Sequence, residues 1–285
     1  LGGGTGGLIP FILKKNGNYT GIDFSKNNYI YAGKDKDIKL LNINQKTYQD
    51  FLINKENAIN FMKTKKNIIT ANKGPLAIAF SSLIEKANYN NVILKYSAAV
   101  GGGTPILEFG RKCLEADRIL EINAILNGTT NYILTEMDNR GLSFNDALNE
   151  AQKLGYAESD PTLDIDGFDA AAKLVIMGNL LLNKDLVLND LSVKGIRDIT
   201  QKDISKAKDN GNTIKLIASI NKSAKVNPIE ISRDDPMCVK GALNSVKFTT
   251  EFAGEEIIIG KGAGGMETAS AIIRDLVEIK QNMRV

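Results

Sequence analysis

Two apolar periods alternate along this chain of 285 residues. Short apolar runs bounded by polar residues or glycine occur at 67–70 (NIIT), 91–99 (NVILKYSAA), 118–126 (RILEINAIL), 213–220 and 246–259, and read as strands. Between them, residues 55–65, 76–88, 127–137 and 167–182 carry apolar positions at helical spacing. Ser143, with Asp146 three residues on, predicts a capped helix that Gly155 ends. The last segment, IIIGKGAGGMETASAIIRDLVEI, reads as strand, glycine turn and helix. Strands alternating with helices predict an α/β protein. A strand–turn–helix unit at the C-terminus further predicts that the chain returns there to complete a domain begun at its start.

The first residues place Gly2, Gly4 and Gly7, with Thr5 among them, in the pattern GxGxxG. Such a turn lets backbone approach a pyrophosphate at a helix N-terminus, where the dipole favours an anion. It normally follows an apolar strand and opens a helix; here the chain begins at the turn, so its true start is expected upstream. Pro10 fits poorly in that helix unless the helix starts late. Residues 18–24 predict a second strand with Asp23 near its end, placed to bond the ribose hydroxyls of NAD, whereas Lys26 would suit an adenosine phosphate. GKGAGG at 260–265 fits a turn against a cofactor or phosphate and lacks the spacing of a nucleotide-hydrolysing loop.

Bulk composition removes several function classes. Net charge is +3, from 36 basic and 33 acidic residues, which argues against a general grip on nucleic acid. No apolar run is long enough to span a membrane and no signal peptide is visible, so a cytoplasmic protein is expected. The two cysteines, Cys113 and Cys238, form no metal-spaced pair and read as free thiols. Histidine is absent, which excludes Ser-His-Asp and Cys-His catalysis and the common zinc sites. Proton transfer must then fall to Asp, Glu, Lys, Tyr or Cys.

The stretch GYAESDPTLDIDGFDAAAK gathers Glu158, Asp160, Asp164, Asp166 and Asp169 ahead of Lys173. Asp169 and Lys173 are four apart in an alanine-rich run and share one helix face. Acids that could hold an ammonium group thus stand beside a lysine that could move a proton. A solvated loop or a calcium loop are the other readings, although the EF-hand spacing does not fit. Lys73 directly follows the strand at 67–70, at the carboxyl end where α/β sites form.

Taken together, TANKGPLA (70–77), VGGGTPIL (100–107), ILNGTTNYILTEM (125–137), the acidic block 151–173 and GKGAGGMETASAIIRDL (260–276) resemble homoserine dehydrogenase. The resemblance is good over residues 66–280 and loose before them. It implies NAD- or NADP-dependent interconversion of L-homoserine and L-aspartate 4-semialdehyde, a step toward threonine and methionine, by a homodimer. The implied fold is a discontinuous, reduced Rossmann-like nucleotide-binding domain (1–95 and 260–285) around an α+β substrate and dimerisation domain (96–259). It gives the catalytic proton to Lys173, assisted by Lys73 and Asp169. Glu158, Asp164 and Asp169 match substrate-binding positions, and Gly128, Thr129, Gly155 and Tyr156 match the pocket wall, with Gly155 also beside the cofactor. Gly262 and Gly264 match a second cofactor turn. Main-chain carbonyls at Val100, Gly102 and Thr104 match a loop that holds a monovalent cation such as sodium, but Ser97 replaces the family's nearby glutamate and is a weaker, neutral ligand.

The interval between Asp23 and Lys73 departs from the family. No apolar strand is legible there, and the interval is short. The chain also ends soon after its last helix, so a regulatory domain of the kind some relatives carry is not expected. These departures motivate a rival reading, a binding subunit with a degenerate cofactor domain; a related amino-acid dehydrogenase is the third.

Overall fold

The computed structural model describes residues 48–282, with side chains from residue 55 onward, and the backbone of the segments 12–15, 18–21 and 38–41. Gly2, Gly4, Thr5, Gly7, Asp23, Lys26 and Pro10 lie outside the described residues.

Strand β1 (Ile12–Lys15) pairs antiparallel with β2 (Asn18–Gly21), Ile12 opposite Gly21. A helix is the expectation after the first glycine turn, so this hairpin is a correction. The sequence between the two strands is Asn16-Gly17, a strong two-residue hairpin signal. Strand β3 (Ile38–Leu41) then supplies what the interval before Lys73 lacks on paper. It runs parallel to β4 (Asn67–Thr70), which runs parallel to β5 (Leu94–Lys95). Helix α1 (Tyr48–Lys63) precedes β4, and α2 (Lys73–Tyr89) follows it. The strand expected over 91–99 is only two residues long. Its continuation turns into a 3₁₀ coil at Ser97–Ala99, where the Val100 N–H bonds the Ser97 carbonyl.

The second half is built on a six-stranded sheet. After α3 (Ile106–Cys113) come β6 (Ile119–Ile125), α4 (Gly128–Arg140), α5 (Phe144–Lys153), the short α6 (Thr162–Ile165) and α7 (Phe168–Leu181). They are followed by β7 (Ser192–Val193), α8 (Gln201–Asp209), β8 (Asn212–Ile220), β9 (Ala224–Ser232), β10 (Leu243–Thr250), β11 (Glu255–Lys261) and α9 (Gly265–Asn282). The order across the sheet is β11-β10-β6-β8-β9-β7, antiparallel except for the β7–β9 pair. Pro228 is tolerated inside β9 because β7 pairs only with Lys225 and Val226, leaving the backbone edge at Pro228 without a ladder partner to donate to.

Helices α4 and α7 cover β8, and the fully buried Ile122, Ile133, Leu174, Val175 and Phe248 knit helices and sheet into one core. Helix α9 leaves that sheet at β11 and packs on β4, where Ile69, Ile272 and Ile279 form a second apolar cluster. The last helix thus returns to the parallel sheet. Asp275 fixes the return: its carboxylate accepts the Ser97 N–H at 3.0 Å and the Ser97 hydroxyl at 2.5 Å.

Candidate active site

Three helix starts converge on one point. Helix α7 begins behind Gly167, which adopts φ +88, and carries Asp169 in its first turn and Lys173 one turn later. The i,i+4 spacing brings Lys173 Nζ to 2.7 Å from Asp169 Oδ2. Helix α2 begins at Lys73, straight after β4, and Asn72 caps it by accepting the Gly74 N–H. From there Lys73 Nζ reaches the other oxygen of the same carboxylate, Asp169 Oδ1, at 3.0 Å. Asp169 and Lys173 are buried, whereas the Lys73 side chain is 39% exposed and faces open space.

The third start is α4, capped by Asn127. Its Oδ1 accepts the Thr130 N–H at 2.8 Å, which orients the amide. The NH₂ end must then point the other way, and it donates to Asp164 Oδ1 at 2.7 Å and to Asp169 Oδ2 at 2.9 Å. Thr129 Oγ1 donates to the Tyr156 carbonyl at 2.7 Å, with Asp164 Oδ2 at 3.4 Å. Tyr156 lies against Tyr132, ring centroids 4.8 Å apart, and remains half exposed. Asp166, from the same acidic stretch, turns away to pair with Arg197.

Electrostatics separates the buried Asp169 from the half-buried Asp164. Burial alone would raise Asp169, but the ammonium groups of Lys173 and then Lys73 overcome it and hold the carboxyl below its usual range. Asp164 shifts the opposite way, raised by burial and by the Asp169 charge. Asp169 in turn raises the Lys73 ammonium against the opposing effect of burial.

These groups open into a cleft of about 970 Å³. Its walls include Lys73, Gly128, Thr129, Gly155, Tyr156, Glu158, Asp164, Asp169, Lys173, Gly262 and Gly264, all expected from the sequence. They also include Asn127, Ala242, Leu243, Lys261 and Glu267, which were not singled out. The cap signature Asn127-Gly128-Thr129-Thr130 is the signal that could have found Asn127.

The two glycine turns meet beside this cleft. A Cβ on Gly102 would lie 2.7 Å from the Gly262 carbonyl carbon, and one on Gly262 would lie 1.9 Å from Asn244 Nδ2. Thr104 Oγ1 donates to the Lys261 carbonyl at 3.1 Å. Close packing therefore requires glycine at both positions, whatever the cleft binds. The backbone of Gly264 and Gly265 opens α9 on the cleft side, and a Cβ on Gly265 would meet nothing. At the expected cation loop, Val100 is buried and the Thr104 carbonyl accepts the Ile106 N–H at 2.8 Å. Ser97, as shown above, is engaged by Asp275. Among the described residues, no cluster of His, Cys, Asp and Glu could hold a metal ion, both cysteines are free, and no helix is long and apolar enough to cross a membrane.

Comparison with known proteins bears on this geometry. A family profile described as homoserine dehydrogenase matches residues 105–277. A homoserine dehydrogenase from Methanocaldococcus jannaschii is 46% identical over 226 residues, 79% of this chain and 67% of that protein. An NAD(+)-dependent homoserine dehydrogenase from Pseudomonas canavaninivorans is 40% identical over 224 residues, 76% of this chain and 63% of that protein. The structure is similar to that of a hyperthermophilic archaeal homoserine dehydrogenase in complex with NADPH, with a TM-score of 0.75 and 29% identity over 86% of this chain and 72% of that one.

Proposed function

This chain belongs to the homoserine dehydrogenase family, and on that premise we propose that it interconverts L-homoserine and L-aspartate 4-semialdehyde with NAD or NADP. The observation that carries the proposal is the Lys73–Asp169–Lys173 cluster, which opens into the same cleft as Gly262 and Gly264. One relative is named for NAD(+) and a solved neighbour holds NADPH, which supports either dinucleotide here.

The residues present fit such a cofactor. The cleft has room for a nicotinamide beside a small amino alcohol. The backbone at Gly265, where an added Cβ would meet nothing, starts a long helix whose N–H groups and dipole favour phosphate, beside the Glu267 carboxylate that lies against Gly264. The chemistry that a bound nicotinamide would supply is a hydride acceptor for the alcohol carbon or a hydride donor for the aldehyde carbon.

The protein supplies position and the proton. An ammonium has three N–H donors, and Lys173 spends two of them on Asp169 Oδ2 and the Leu126 carbonyl at 2.8 Å. The third serves the substrate oxygen: in the reducing direction it gives a proton to the developing alkoxide, and in the oxidising direction the neutral amine takes it back. Asp169 holds the two lysines on its two carboxylate oxygens, so Lys73 approaches the substrate oxygen from the open side. Glu158 and Asp164 hold the substrate ammonium, and Gly128, Thr129, Gly155 and Tyr156 shape the wall around it.

We assign residues 1–95 and 260–285 to the nucleotide-binding unit, with the first glycine turn Gly2, Gly4, Thr5 and Gly7 and the acid Asp23 serving the cofactor, and 96–259 to the substrate and dimerisation unit. The protein acts as a homodimer in the cytoplasm. A monovalent cation would sit on the carbonyls of Val100, Gly102 and Thr104, without the carboxylate that Ser97 replaces. The test is to supply the purified chain with homoserine and each dinucleotide and follow reduced cofactor while trapping the aldehyde. Matched formation of both products supports the proposal; neither product from folded protein at saturating substrate overturns it.

A further inference from the structure

Behind the cleft wall, on β8, lies a buried lysine that the proposed reaction does not use. Lys215 is 2% exposed and, among the described residues, forms no ion pair, because the neighbouring Asp138 is paired with Arg233. Its Nζ donates to Asn131 Oδ1 at 2.7 Å and to Thr135 Oγ1 at 3.1 Å. Burial pushes its pKa down to about 8. The neutral and charged forms both keep at least two N–H donors, so this pair of bonds survives either state.

Those bonds set two further groups. With Oδ1 committed to Lys215, the Asn131 NH₂ must face the opposite way, where it donates to the carbonyls of Val239 at 3.2 Å and Leu243 at 3.0 Å. Thr135 Oγ1 donates to the Asn131 carbonyl at 2.6 Å and accepts the Gly241 N–H at 3.2 Å. The segment held in this way forms the wall of the cleft. Ala242 and Leu243 line it, and the Ala242 carbonyl would lie 2.8 Å from a Cβ on Gly128. The next residue, Asn244, donates to the Leu126 carbonyl at 3.1 Å, the same oxygen that anchors Lys173.

We propose that Lys215 is a positioning residue: through Asn131 and Thr135 it clamps the segment from Val239 to Leu243 against the substrate end of the cleft. It touches neither substrate nor cofactor. The inference rests on the reading of the cleft as a homoserine site, so its test carries one readout that does not need turnover.

The experiment compares the full chain with Lys215→Met, which keeps the bulk and removes the donors. The homoserine KM is expected to rise about tenfold while the cofactor KM stays within about twofold. By amide hydrogen exchange, Gly241 is expected to exchange at least about tenfold faster while the β11 amides, which belong to none of the clamp residues, keep their protection. Unchanged homoserine KM, equal losses for both substrates, or unchanged Gly241 exchange each overturns the clamp. An inactive parent protein would sink the homoserine reading alone, and Gly241 exchange would still judge the clamp. Should Lys215→Met not fold, Thr135→Val removes one hydroxyl of the same clamp, and a Gly241 exchange rate equal to the parent's counts against the proposal.

Discussion

Lys73 meets Asp169 at 3.0 Å from the open side of a carboxylate whose other oxygen Lys173 already holds at 2.7 Å. One acid therefore fixes two lysines that arrive from different helices. Replacing Asp169 with Asn leaves the Lys173 ammonium buried without its counter-charge. The expected loss is about 3 kcal/mol of stability, with a fall of about 100-fold or more in homoserine turnover. Thermal melts and initial rates check both; a variant that melts and turns over like the parent would remove Asp169 from the centre of the site.

Asp164 should behave differently, because it contacts Asn127 and Thr129 and, among the described residues, forms no ion pair with a lysine. Asp164→Asn is expected to raise the homoserine KM about tenfold or more while kcat changes far less, the pattern of a lost ammonium contact. Steady-state kinetics over both substrates decide this, and a kcat loss equal to that of the Asp169 variant would argue against separate roles.

Asp169 is legible in the sequence because its i,i+4 spacing to Lys173 imposes its own geometry, and Asp164 because the acidic block resembles the family's substrate-binding stretch. Lys73 was legible from its place at the end of a strand. Asn127 was not, because its role follows from a helix cap that turns its amide toward two carboxylates distant in sequence. Strand β3 escaped because four residues, IKLL, flanked by lysines and asparagines, give too short a run for either period to emerge. Strand β9 escaped because Pro228 argues against a strand until the partial pairing of its neighbour is known. The strand expected over 18–24 contains β2, but the helix expected after the N-terminal glycine pattern hides β1, its hairpin partner across Asn16-Gly17.

Glycine substitutions separate packing from flexibility. Gly102 has φ +54, and its Cβ would strike the Gly262 backbone, which cannot swing aside. Gly141 has φ +67 with nothing within 4 Å. Gly141→Ala should cost about 1 kcal/mol, the backbone penalty alone. Gly102→Ala should cost about 2–4 kcal/mol, with overpacking added. Denaturant unfolding of the two variants measures the gap, and equal losses would contradict the close approach of the two turns.

Asp275 gives stability a pH dependence. Burial pushes its carboxyl up to about 6, against the two hydrogen bonds from Ser97. An acid whose folded pKa is raised binds its proton more tightly in the folded state. Its contribution is therefore full below the unfolded value of about 4 and is lost as pH rises to about 6. The parent should thus lose about 2 kcal/mol relative to Asp275→Asn between these limits. Paired unfolding curves at pH 4, 5, 6 and 7 read this difference, and a constant gap between the two proteins would refute the shift.

The most direct test of the proposed chemistry is the turnover of homoserine by Lys173→Ala beside the parent, with folding checked by circular dichroism and melting. Loss of the N–H that serves the substrate oxygen predicts a kcat at least about 100-fold lower with cofactor binding retained. Parent-like turnover in a folded Lys173→Ala protein would contradict it.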